Sequence, residues 1–125
     1  MARAIKSAPE FEVLDGALSP DHWTTPTLAV QLAPAPLDRT ISATITNPHF
    51  NTAYLRNRVT VTMDGATAFA DLLFAGHSVR VERFVPAKEG LLIELASEAS
   101  LEPDALDPRA RGVWLKLGQK AVKKD

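Results

Sequence analysis

Cysteine is missing from all 125 residues of the sequence. That excludes a disulfide framework, a thiolate metal site and a cysteine nucleophile, and it fits a reducing compartment. A surplus of positive charge is missing too: 14 Lys and Arg stand against 15 Asp and Glu, for a formal net charge of −1. Nucleic acid and anionic membrane surfaces attract proteins with a clear basic excess, so neither is an expected partner. Long apolar runs are also lacking. The basic start MARAIKSAPEF has no hydrophobic stretch behind it to serve as a secretory signal, and no segment is long enough to span a bilayer. The expected location is therefore cytoplasmic, although a domain excised from a larger or exported protein would read the same. No window shows a sustained 3.6-residue apolar stripe, so helices are not expected to build the core.

What is present is alternation. A chain of this length forms one domain with one core, and 46% apolar with 23% charged residues is an ordinary soluble composition. Residues 1–10 read as a flexible N-terminal arm, 11–118 as the folded domain and 119–125 as a basic C-terminal tail carrying Lys120, Lys123 and Lys124. Leu28, Val30 and Leu32 alternate with polar or small neighbours, as do Ile41, Ala43 and Ile45 and then Leu91, Ile93 and Leu95. A first strand is expected over 11–14, a weak one around 69–73 and a last one at Val113, Leu115 and Leu117. The break at Arg83-Phe84-Val85 predicts a β-bulge. About eight short strands, with turn signals every 8–12 residues, predict an all-β, two-sheet antiparallel sandwich of jelly-roll type.

The stretch 47–65, NPHFNTAYLRNRVTVTMDG, is the richest in chemistry. It begins as a turn, passes into strict alternation and ends at Asp64-Gly65, a hairpin signal. If the alternation reaches back to Ala53, one face carries Tyr54, Arg56, Arg58, Thr60 and Thr62, and the other Leu55, Val59, Val61 and Met63. Asn47, His49, Asn51, Tyr54, Arg56, Asn57 and Arg58 would then offer hydroxyl partners, a stacking ring and cations to a polar ligand. Trp114 is out of phase with Val113, Leu115 and Leu117. It is expected on the outer face, either as a stacking platform for a sugar or covered by a loop or partner subunit. Trp23 is expected to cap one end of the core.

The other constellations favour binding over catalysis. His22, His49 and His77 each fall in a turn and none has a second ligand at metal-site spacing on its own element. Glu102, Asp104 and Asp107 surround another turn; such carboxylates can serve glycoside hydrolysis, cap the turn or hold a structural Ca²⁺. Asp107-Pro108-Arg109 reads as a structural entry to the last strand. No nucleophile–base pair is legible.

Several landmarks occur in a familiar order: Asp15-Gly16-Ala17-Leu18 followed by Trp23, the Asp64-Gly65 hairpin, Leu101-Glu102-Pro103, and residues 107–113, DPRARGV. Over residues 11–118 this order resembles a β-sandwich accessory module of bacterial proteins that build or modify surface polysaccharides, often beside glycosyltransferase or methyltransferase domains. In that family a GW or DGW turn opens the domain and a DPR.LG segment enters the last strand. Here Ala17 replaces an aromatic of the turn and Arg111 an apolar residue before the glycine. The resemblance implies a jelly-roll fold and a carbohydrate context, with no defined catalytic residues. Two functions are thus expected to compete. One is a non-catalytic module that binds a glycan or serves a polysaccharide-processing enzyme. The other is an assembly protein that buries an exposed face against another copy or another chain.

Overall fold

Eight antiparallel strands carry the alternation in the computed structural model, which describes residues 8–49, 54–100 and 110–122. They are β1 (Phe11–Asp15), β2 (Thr27–Leu32), β3 (Arg39–Thr46), β4 (Arg56–Met63), β5 (Ala66–Phe74), β6 (Ser78–Val85), β7 (Leu91–Ser97) and β8 (Trp114–Ala121). One sheet has the order β1-β2-β7-β4-β5 and the other β6-β3-β8. The fold is the all-β sandwich that the two-residue period predicts. Each strand turns one row of apolar side chains inward, because burying that row can leave its polar neighbours in water.

The core lies between the layers. Leu28, Val30 and Leu32 of β2, Val59, Val61 and Met63 of β4, and Leu91, Ile93 and Leu95 of β7 face Ile41, Ala43 and Ile45 of β3 and Leu115 and Leu117 of β8. Burying each of the larger side chains contributes about 1.5–3 kcal/mol. Asp64 and Gly65 join β4 to β5 in a two-residue hairpin, both with positive φ (51° and 81°), as the Asp-Gly pair predicts. The Asp64 carboxylate accepts the Leu92 N–H at 2.9 Å, which also ties the turn to β7.

Both ends of this apolar core are polar. The inward row of β3 runs Arg39, Ile41, Ala43 and Ile45 and continues past the strand to Asn47; Arg39 and Asn47 are 1% and 0% exposed. The inward rows of β4 and β7 likewise end in Asn57 and Ser97, both buried.

Two expectations are corrected. β6 pairs with β3 from Thr46↔Ser78 to Arg39↔Val85 without a shift, so no bulge falls at 83–85. Phe84 points outward and is half exposed, while Arg83 holds the inward position. Its Nη1 crosses the sandwich to donate to the Met63 carbonyl at 3.1 Å, so a long cation replaces an apolar side chain at the rim of the core. The register instead shifts between Val13 and Asp15 and between Val61 and Thr62. Lastly, β8 continues through Ala121, paired with Arg39, so ladder structure occupies 119–121, where a tail was expected.

Candidate functional site

The stretch expected to present one polar face is divided by the structure into three parts. The first is internal. β4 begins at Arg56, so its period does not reach back to residue 54. The Tyr54 ring is fully buried and Leu55 is the exposed neighbour, the reverse of the expectation. The Tyr54 hydroxyl donates to the Gly112 carbonyl at 2.6 Å. Burial pushes its pKa up to about 12, opposed by the charge of Arg111. Asn47 is buried too. Its Nδ2 donates to the carbonyls of Tyr54 (2.8 Å) and Leu73 (3.0 Å). Asn57 Nδ2 donates to Asn47 Oδ1 and Ser97 Oγ, and Asn57 Oδ1 accepts the Ala99 N–H at 2.9 Å. Asn47, Tyr54 and Asn57 therefore brace the loops at this end of the sandwich and are not surface contacts for a ligand. The phase of Asn57 with Val59 and Val61 was the signal for this network.

The second part is the outer face of the larger sheet, where Arg56 and Arg58 are exposed as expected. Their aromatic neighbour is Phe74 of β5, which stands opposite Arg56 in register and is half exposed. Directly opposed positions share a face. Phe74 also meets His77 edge-on, with ring centroids 6.0 Å apart.

The third part gathers His49 with residues remote in sequence. Trp23 and Trp114 meet edge-to-face at 5.2 Å between ring centroids, and their backbones form an isolated antiparallel bridge. Arg111 places its guanidinium 5.6 Å from the Trp23 ring centroid, a cation–π contact. His49 approaches Trp114 at 6.4 Å. Trp114 is thus largely covered from within the chain, with Trp23 and His49 against its ring. Asn51, and the turn holding Glu102, Asp104 and Asp107, lie outside the described residues.

From Trp114 a polar trough runs along the outer face of the smaller sheet. In register, Trp114 stands opposite Thr46, Lys116 opposite Thr44, Gly118 opposite Ser42 and Lys120 opposite Thr40. On the other side, Ser78, Arg80 and Glu82 flank Thr46, Thr44 and Ser42. The floor is therefore a row of small hydroxyl side chains on the central strand, with Gly118 adding no side chain beside Ser42. The walls are charged: Lys116 and Lys120 on one side, and the Arg80–Glu82 pair (3.4 Å) on the other. The hollow measures about 620 Å³. From Lys116 to Lys120 it spans about 13 Å at strand rise, and Trp114 is the next outward residue of β8 beyond it. Such a surface offers donors and acceptors for sugar hydroxyls along its length and an aromatic ring at its head. The alternation of β3 announced the hydroxyl row, but only the pairing with β6 and β8 gives it walls. Among the described residues, no group of three His, Asp or Glu side chains is placed to hold a metal ion.

No family model and no curated protein matches the sequence. Solved structures do match in fold. A family 35 carbohydrate binding module from Clostridium thermocellum aligns over 97% of this chain and 100% of its own, with TM-score 0.50 and 10% identity. A CBM35 from Cellvibrio japonicus Abf62 aligns over 98% of this chain and 89% of its own, with TM-score 0.47 and 10% identity. An acetyl xylan esterase from the rumen bacterium Butyrivibrio proteoclasticus shows 15% identity and TM-score 0.42; the match covers 96% of this chain and only 32% of the esterase. The chain shares with the Clostridium module its architecture, a two-layer antiparallel sandwich of jelly-roll type.

Proposed function

We propose that this chain is a non-catalytic carbohydrate-binding module that holds a glycan along the outer face of β6, β3 and β8. The observation that carries the reading is the hydroxyl-floored trough, with Trp114 next in line beyond Lys116 on β8. A glycan presents rows of hydroxyls and apolar ring faces, and the trough supplies partners for both. The fold it shares with a carbohydrate binding module is consistent with that use. The module serves a polysaccharide-processing enzyme, in the synthesis or modification of bacterial surface polysaccharide; the DGAL turn and the DPR segment support that context.

A glycan array with the purified protein tests the reading, followed by calorimetry on the best ligand. Trp114→Ala and Ser42→Tyr are each expected to weaken binding about tenfold or more. Ser42 points outward, so filling its place leaves the core intact. Circular dichroism checks that both variants fold. A folded Ser42→Tyr protein that binds as well as the parent rules the trough out.

One observation favours assembly as a second reading. β1 is an edge strand with Phe11 and Leu14 exposed, and Phe11 borders a largely apolar hollow of about 290 Å³ with Leu18 and Leu115. Under that reading, light scattering finds a stable oligomer that Phe11→Ser dissociates.

A further inference from the structure

We propose that Arg39 forms a binding site for a small oxyanion, a carboxylate or phosphate group, at the end of the sandwich remote from Trp114. This does not depend on the glycan reading. Arg39 opens β3, seven positions before Thr46, the partner of Trp114. Its side chain is 1% exposed. Nη1 donates to Gln119 Oε1 at 2.8 Å, and Nη2 donates to the carbonyls of Ala33 (2.6 Å) and Glu89 (3.3 Å). The Nε–H is buried and has no acceptor. All three acceptors are neutral, and among the described residues the ion pair formed is Arg80–Glu82, elsewhere on the surface.

A guanidinium keeps its charge under all ordinary conditions, so Arg39 is a buried cation without a countercharge among the described residues. A side chain needed only to bridge carbonyls would be satisfied as an amide; here a full charge and an unused N–H remain. Arg39 also lines a hollow of about 220 Å³, which Pro34, Pro36, Gln119 and Glu10 border. The prolines fix the wall. Gln119 is a long amide over the guanidinium, and turning it aside would expose Nη1. An entering oxyanion would accept from the unused N–H groups and supply the missing charge in a partly dehydrated place, where such bonds are short and strong. Glu10 lines the same hollow without pairing with Arg39, and its exposed carboxylate opposes an incoming anion.

Proton–nitrogen correlation spectra of the full chain can follow the Arg39 Nε–H while sodium phosphate, or separately sodium acetate, replaces chloride at constant ionic strength. A saturable shift with one of the two is expected, and the anion that saturates identifies the head group. Glu10→Gln should tighten that binding about threefold or more by removing the opposing charge. Arg39→Lys should abolish it; if that variant does not fold, Glu10→Gln decides. Absence of saturation with both anions overturns the proposal, as does binding that is unchanged or weaker in Glu10→Gln.

Discussion

Asn57 shows how much one polar side chain can hold in an apolar layer. It gives both amide hydrogens to Asn47 and Ser97 and takes the Ala99 N–H. Truncation to alanine leaves these partners buried and unmatched, at about 1–3 kcal/mol per unsatisfied group. Asn57→Ala should therefore lower stability by about 2–3 kcal/mol in urea denaturation, with its slope unchanged. Tyr54 is the only tyrosine, so tyrosinate absorbance reports on it alone. Its pKa rises from the ordinary 10.0 to about 12 through burial. Between those values the unfolded chain loses the phenolic proton and the folded chain keeps it, so stability falls as pH rises from about 10 to about 12. Tyr54→Phe should lack that part of the alkaline loss. An equal pH slope in the two proteins would show that the ring is not buried in solution.

At the scale of elements, β1 is the piece most open to disruption, because it is the shortest strand, largely exposed and paired with β2 alone. The chain leaves it through Gly16 at φ +78°, and a side chain there would collide with Thr25 Oγ1 and the Thr27 carbonyl. Gly16→Ala combines a left-handed backbone with a backbone clash and should cost about 2 kcal/mol or more. Hydrogen exchange should speed most at Val13 and its β2 partner Val30; exchange unchanged there would place the strain elsewhere. The same scale explains a misreading. Arg83-Phe84 looks like a bulge because a sequence pattern assumes that the apolar residue faces inward. At the rim of a sandwich, a long arginine can lay its stem along the core and bond across the layers, which leaves the phenylalanine outside.

For the molecule as a whole, the chain passes from one sheet to the other at β2–β3, β3–β4, β5–β6, β6–β7 and β7–β8. Partners such as Val30 and Ile93, or Ala43 and Leu117, are therefore far apart in sequence. Closing such loops precedes the contacts that reward it, so folding should take milliseconds to seconds in stopped-flow refolding. A microsecond relaxation would contradict this topology. With no cysteine, added reductant should leave the unfolding midpoint unmoved.

The period of two determined the strands, their inward rows and the two-layer class, because alternation is a property of each segment alone. It also contained two signals for the buried polar ends, in the phase of Arg39 with Ile41 and of Asn57 with Val59. The surface arrangement was not local in this sense. Tyr54 was expected beside Arg56, but the strand starts after it and the ring turns inward; Phe74 takes the neighbouring place from another strand. Trp23 and His49 meet Trp114, and Arg111 meets Trp23, only through segments that the fold brings together. The trough exists because β3 lies between β6 and β8. Which side chains share a surface depends on strand order and register, and those are settled by long-range pairing across the sandwich.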